Sequence, residues 1–405
     1  MKVLGVIAEY NPFHFGHYYH LQKAKELTGA SAVICIIGSS FLQRGEPALV
    51  DKWARCQMAL HAGADLILEL PIVFSCRSAL WFAMGGVKSL ASTGIITHLA
   101  FGAETTDLNK MQQIARILNQ ENSSFVKNLE KYLDLGYSYP KSRSLTLQTI
   151  LNTPENDFIN DLDKPNNILA LAYLQVLESL NSKIEPVLIK RLGHYHSLQP
   201  ENGIASATAI RKLILEKNPL WYKYVPESTK EILTLEFNQG KGPVSLQSVE
   251  QSIMATIRRK TPKDLKNIIE VKEGLENRIW QLAQSSGNIT SLIEKLKTKR
   301  YTYTRMQRLL THIFIRFTND LSITSPEYLR VLGFNSKGQE LLQLMKTNCQ
   351  LPIITKFAQG YDQVSEIGKK VMDLEARATD LYTLAFPNPQ VRQGRQDFYR
   401  SPIII

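Results

Sequence analysis

Long apolar runs are missing from this sequence. No stretch approaches the roughly 18 to 20 consecutive apolar residues that span a bilayer, and the opening MKVLGVIAEYNPF is too short an apolar run for a secretion signal. No membrane partner and a cytoplasmic location are therefore expected. Cysteine is scarce: Cys35, Cys56, Cys76 and Cys349 include no C-x-x-C pair, which argues against a zinc ribbon or disulfide framework and predicts buried small hydrophobes. Neither a Walker G-x-x-x-x-G-K-S/T nor a G-x-G-x-x-G fingerprint occurs, so a nucleotide would have to bind without a P-loop. There is no low-complexity tract and no fixed-period repeat, which sets aside disordered and solenoid classes. What remains is a globular composition: 405 residues, 44% hydrophobic and 21% charged, enough for two domains. The net charge of +11 suits a polyanionic partner such as nucleic acid, and equally a basic enzyme with no such partner.

Residues 3–8 (VLGVIA) form an apolar run of strand length, followed by a loop and a helical stretch over 16–27. The alternation repeats: strands are predicted at 32–37, 66–70 and 97–101, and helices at 52–62 and 78–93. Continuous rather than alternating hydrophobicity in these strands indicates a parallel sheet covered on both faces. Beyond Glu104 the pattern is helical through Leu180, with a returning strand at 186–191 and a helix at 206–216. The expected fold is α/β: a Rossmann-like parallel sheet over residues 1–215, then a mostly α-helical C-terminal domain over 216–405. Helical spacing at 265–292 and 303–317, without comparable buried strands, supports the second part.

In open α/β sheets, ligands bind at the carboxyl ends of strands, and the first strand-to-helix loop offers unpaired, positively polarised amides. Here that loop carries His14-Phe15-Gly16-His17. Two histidines around a glycine at a helix start can direct two N–H donors at a polyphosphate, while the glycine admits a nucleotide to the backbone. The competing reading places His14, His17 and His20 along one helix face or around a metal; zinc would lack a fourth clustered ligand. No resident metal site is therefore predicted.

His14-Phe15-Gly16-His17 resembles the HxGH signature of the nucleotidyltransferase superfamily. GVIAEYNPFHFGHYYHL, GSSFLQRGEPALVDKWARCQMAL, GADLILELP, FGAE, KPNNILALAYL, IASATAIR and KRYTYTRMQR together resemble the bacterial tRNA(Met) cytidine acetate ligase family. The resemblance implies ATP-dependent activation of acetate as acetyl-adenylate, without acetyl-coenzyme A. The acetyl group then passes to the exocyclic amine of the wobble cytidine of elongator tRNA(Met), giving N4-acetylcytidine. It also implies an ATP site formed by Ile7, Ala8, Glu9, Tyr10, Asn11, Pro12, Phe13, His14, Phe15, Gly16, His17, Tyr18, Tyr19 and His20. Gly102 would lie by the adenosine, and Asn166, Asn167 and Arg191 would complete the site, with the choice between the asparagines open. His14, His17 and Arg191 are the expected catalytic residues, with Mg²⁺ bridging the phosphates.

Ser206-Ala207-Thr208-Ala209-Ile210-Arg211 resembles the S-S-T-x-I-R phosphate motif of related adenylyltransferases, with alanine replacing the second serine. Ser206, Thr208 and Arg211 are therefore candidate phosphate contacts, against the alternative of a plain N-cap. Lys52 and Arg55 open a helix at the same sheet edge and rank behind them, since charges in a first helical turn are commonly solvated or paired. Segment 297–316 has six basic residues and no acidic one, with Tyr301, Tyr303 and Phe314 interleaved. Lys297, Lys299, Arg300, Arg305 and Arg308 are thus candidate tRNA contacts, against the alternative of a solvated basic face. Two rival functions remain: adenylylation of a small phosphorylated metabolite, and a non-catalytic RNA-binding protein with a vestigial nucleotide fold.

Overall fold

The computed structural model describes residues 1–120, 123–151, 162–191 and 205–405. The apolar runs become strands: β1 (Val3–Ala8), β2 (Ala32–Gly38), β3 (Leu66–Leu70), β4 (His98–Ala103) and β5 (Glu185–Lys190). Every residue of β2 and β3 is buried, as continuous runs require in a sheet covered on both faces. All pair in parallel, in the order β5-β4-β1-β2-β3. The chain moves from β1 outward through β2 and β3, then returns to lay β4 on the other side of β1. The β1/β4 boundary is therefore a topological switch point, where the loops leaving the two strands diverge and open a crevice.

The helical run after Glu104 consists of Leu108–Gln120, Ser123–Asp134, Tyr139–Leu151 and Pro165–Ser179. Residues 121–122 and 152–161 of that run, and Ile204 of IASATAIR, lie outside the described residues. The C-terminal part is mostly helical, including Glu227–Asn238, Leu246–Arg258, Tyr303–Ile315 and Glu366–Thr383.

The C-terminal part differs from expectation in also supplying strands. β6 (Leu329–Phe334) pairs antiparallel with β3, while β7 (Ile353–Ile354) and β8 (Ile403–Ile404) pair in parallel with β6. The sheet is thus built from both sides of residue 215. β6 reads LRVLGF, and its arginine interrupts the apolar pattern; Arg330 tolerates burial because Glu69 on β3 (2.9 Å) and Asp397 both accept from it. Among the described residues no helix is long and apolar enough to cross a membrane. Cys35, Cys56 and Cys76 are buried free thiols, and Cys349 is half-buried.

Candidate active site

β1 ends at Ala8, and Tyr10 turns the chain with φ at 50°, a left-handed conformation uncommon for a non-glycine residue. His14 then caps the helix Phe15–Thr28: its Nδ1 accepts from the Gly16 amide (3.0 Å), while His17 Nδ1 accepts from the His14 amide (3.3 Å). This reciprocal cap assigns the tautomers, since a neutral imidazole that accepts at Nδ1 carries its proton at Nε2. The rings stack with centroids 3.8 Å apart. Burial, reinforced by the positive Arg191 and Arg211, holds His14 down to about 3. Burial, then His14, Arg191 and His20, hold His17 well below the usual histidine range. At neutral pH the pair thus offers two neutral N–H donors. His20, lowered to about 4 by burial and Arg191, has a buried Nε2 with no hydrogen-bond partner among the described residues.

These rings open into a cavity of about 420 Å³ at the switch point. Of the expected residues, Ile7, Ala8, Glu9, Tyr10, Asn11, His14, Gly16, His17, Tyr19, His20, Gly102, Asn166, Arg191, Ser206, Thr208 and Arg211 line it. Pro12, Phe13, Phe15, Tyr18 and Asn167 do not. Phe13 belongs to the core, whereas Phe15 and Tyr18 point outward, being 38% and 43% exposed. Pro12 and Phe13 belong to the turn between strand and helix, while Phe15 and Tyr18 already belong to the helix.

The two asparagines separate by side-chain direction. Asn166 faces the cavity, accepting at Oδ1 from Arg191 Nη1 (2.8 Å) and donating from Nδ2 to Glu104 (2.6 Å). Asn167 is fully buried and its Oδ1 accepts from the Glu104 and Thr105 amides at 2.9 and 3.2 Å, so it shapes the turn after β4. Gly102 lies under Arg191; a Cβ there would come within 3.2 Å of Arg191 Cγ. Ser206 caps the helix Ala207–Leu215, accepting from Ala209 N–H at 3.1 Å, and lines the cavity as well. Arg211 donates to the Asn11 carbonyl (2.9 Å) and pairs with Glu46 (3.0 Å).

Lys52 and Arg55 are corrected by the structure. Lys52 is fully buried among Glu69 (2.6 Å), Asp397 (2.7 Å) and Glu375 (3.2 Å). Arg55, also fully buried, donates to the carbonyls of Glu9 (2.8 Å) and Ser39 (2.6 Å). Lys52 ties β3 to the C-terminal helices and Arg55 joins the loops after β1 and β2; neither lines the cavity. Asp51, beside them in sequence, caps their helix at Ala54 N–H and pairs with Arg400.

The basic segment also divides. Lys297, Lys299 and Arg300 are exposed, and Arg305 is half-buried with its guanidinium 4.8 Å from the Tyr301 ring centre. Arg300 pairs with Glu273 (3.2 Å) and Lys297 with Glu294 (3.9 Å). Phe314 is not available for stacking on a base: it is 5% exposed and packs against Phe41. Arg308 is 8% exposed and lines the cavity together with Thr304, apart from the other four. Gln43, Arg44 and Glu46 line it too. The sequence assigned those residues no role; the signal was a charged, glycine-containing loop after the second parallel strand.

A sequence model described as HIGH Nucleotidyl Transferase matches residues 1–397. A tRNA(Met) cytidine acetate ligase of Halothermothrix orenii is 43% identical, over 98% of this chain and 98% of that protein. The crystal structure of apo Thermotoga maritima TmcAL superposes with a TM-score of 0.96 at 36% identity, covering all of both chains. The same protein bound with alpha-thio ATP gives 0.94, again at 36% identity and full coverage of both chains.

Proposed function

We propose that this chain, which belongs to the tRNA(Met) cytidine acetate ligases within the HIGH nucleotidyltransferases, activates acetate with ATP and acetylates the wobble cytidine of elongator tRNA(Met). The observation that carries this reading is the meeting of the His14 and His17 donors with Asn166 and Arg191 in one cavity at the switch point.

In the first step a carboxylate oxygen of acetate bonds to the α-phosphorus while the bond to the bridging oxygen breaks and pyrophosphate leaves. Acetate is ionised at neutral pH, so no protein base is needed. The protein's task is to stabilise negative charge gathering on the phosphates, for which His14, His17, Arg191, Ser206, Thr208 and Arg211 are the candidates. Removing one preorganised donor of this kind typically costs about a hundred- to thousandfold in rate. Among the described residues no group of three His, Cys, Asp or Glu is placed to hold a metal, so Mg²⁺ would be carried by the triphosphate and would supply charge neutralisation there.

In the second step the cytidine amine bonds to the acetyl carbon, AMP leaves and the amine loses a proton. Among the described residues two carboxylates, Glu9 and Glu46, line the cavity. Glu46 is committed to Arg211, whereas Glu9 accepts only the Gln43 amide (2.8 Å) among the described residues, and burial holds its carboxyl above the usual range. Glu9 is thus the fitting proton acceptor. Residues 216–405 act as the tRNA-holding part, with Lys297, Lys299, Arg300 and Arg305 as phosphate contacts. A loop cytidine can be unstacked into the cavity at lower cost than a paired base.

The test is acetate-stimulated ATP–pyrophosphate exchange, followed by incorporation of labelled acetate into tRNA. Label in acetylcytidine only when ATP is present supports the proposal. Exchange driven by a phosphorylated metabolite instead of acetate, or RNA labelling from acetyl-coenzyme A without ATP, overturns it.

A further inference from the structure

The helix Tyr303–Ile315 reaches the cavity because it is clamped to the loop after β2. Thr311 Oγ1 donates to the Gly45 carbonyl (2.6 Å) and Gln307 Nε2 to the Arg44 carbonyl (3.0 Å). Gly45 has φ of +80°, and a Cβ there would come within 2.6 Å of the Arg308 backbone nitrogen and Cα. The close approach therefore requires glycine on conformational and steric grounds alike. Its result is to fix Arg308 in the cavity wall.

Arg308 is placed at a cost with no visible return inside the chain. It is 8% exposed, its Nε is buried without a hydrogen-bond partner, and among the described residues its side chain makes no ion pair or hydrogen bond. The acidic group that influences it most, Glu270, is paired with Arg77 at 3.2 Å. Buried guanidinium groups are normally paired, because an uncompensated charge is strongly destabilising. The neighbouring cations differ: Arg211 is paired with Glu46 and Arg191 donates to Asn166, while the cavity histidines are neutral.

We propose that Arg308 is the receptor for the carboxylate substrate, holding acetate beside the α-phosphate of ATP. The proposal rests on the acetate-activating reading above. An acetate anion approaching a triphosphate meets like charge, and a guanidinium offset from the phosphate donors relieves that repulsion. A planar guanidinium also matches a carboxylate in geometry, and the carboxylate keeps lone pairs free for attack. After adenylation the same group can donate to the acetyl carbonyl oxygen, stabilising the charge that develops there when the cytidine amine attacks. Burial favours a small anion over an RNA phosphate, since the backbone of a folded tRNA stays outside a cavity into which only a base is turned.

The experiment compares the unaltered protein with Arg308→Met and Arg308→Lys in acetate-dependent ATP–pyrophosphate exchange, with ATP binding, tRNA binding and melting temperature measured separately. Loss of a charge-assisted contact predicts a rise in the acetate KM of roughly ten- to hundredfold for Arg308→Met, with Arg308→Lys between it and the unaltered protein. ATP affinity without acetate and tRNA affinity should not change. The melting temperature should hold or rise, because an unpaired buried charge has been removed, whereas a structural arginine would lower it. An unchanged acetate KM overturns the assignment: with weakened ATP binding Arg308 serves the triphosphate, and with weakened tRNA binding it serves the RNA. A fall in melting temperature with all constants disturbed makes it structural. If the unaltered protein shows no acetate stimulation, the acetate-activating reading itself fails and takes this inference with it.

Discussion

His14 and His17 lock one another: each accepts a backbone amide at Nδ1 within a single helix cap, and the stacked rings are left with their Nε2–H groups as donors. Capping and the proposed phosphate contact thus fall to different atoms of the same side chains. His14→Asn should keep the cap, because asparagine is among the best N-cap residues, while removing the Nε2 donor. The expected outcome is a melting temperature near that of the unaltered protein, with exchange activity reduced about a hundred- to thousandfold. His17→Ala should show a similar loss of activity. Unchanged exchange in a folded variant would remove these rings from the mechanism.

The two half-reactions should differ in pH dependence. In the proposed mechanism adenylate formation uses neutral His14, held at about 3, with His17 and His20 also lowered, so no histidine ionises in the free site as pH passes through the ordinary range near 6.5. As the proposed proton acceptor, Glu9 must be ionised for acetyl transfer. Burial raises the Glu9 pKa, so transfer should be complete above that raised value and fall away as pH drops through it. Glu9→Gln keeps an acceptor for the Gln43 amide but removes the base, so single-turnover transfer from preformed acetyl-adenylate should slow while exchange persists. Equal slowing of both steps would assign Glu9 to ATP binding alone.

Exposed cations contribute to RNA affinity through released counterions. Arg300→Ala with Arg305→Ala should weaken tRNA binding and reduce the slope of log affinity against log salt by about 0.7 to 0.9 per lost phosphate contact. Exchange should be preserved, since neither side chain lines the cavity. Affinity that is unaltered across salt concentrations returns the segment to a solvated face.

Lys52 should matter for stability. It sits among Glu69, Glu375 and Asp397, with Arg330 as the other cation, and burial with neighbouring Glu69 already pushes Glu375 up to about 8. Lys52→Ala leaves the carboxylates undercompensated and should destabilise the fold by about 3–5 kcal/mol, read from chemical denaturation. A variant as stable as the original, yet weak in ATP binding, would restore Lys52 to the substrate side.

Local sequence pattern determined the five parallel strands and the HFGH helix start, because each depends on neighbours within a few residues: continuous apolar runs, a glycine beside two histidines, a serine at a helix start; the strand order that makes the β1/β4 boundary a switch point came only with the tertiary structure. The sequence also named most of the residues that line the β1/β4 side of the cavity, apart from the direction in which Asn166 and Asn167 face. Tertiary structure decided the fate of the charges. Lys52 reads locally as a free cation at a helix start, and only Glu69 on β3 together with Glu375 and Asp397, brought back from the far end of the chain, makes it part of a buried ion cluster. Arg330 hides β6 from any hydrophobicity rule until Glu69 neutralises it. Arg308 looks like one member of a basic run until Gly45 lets its helix press against the β2 loop and turns it into the cavity. The physical reason is common to all three: an apolar residue carries its preference for burial with it, whereas the cost of burying a charge is set by whichever distant group comes to stand beside it.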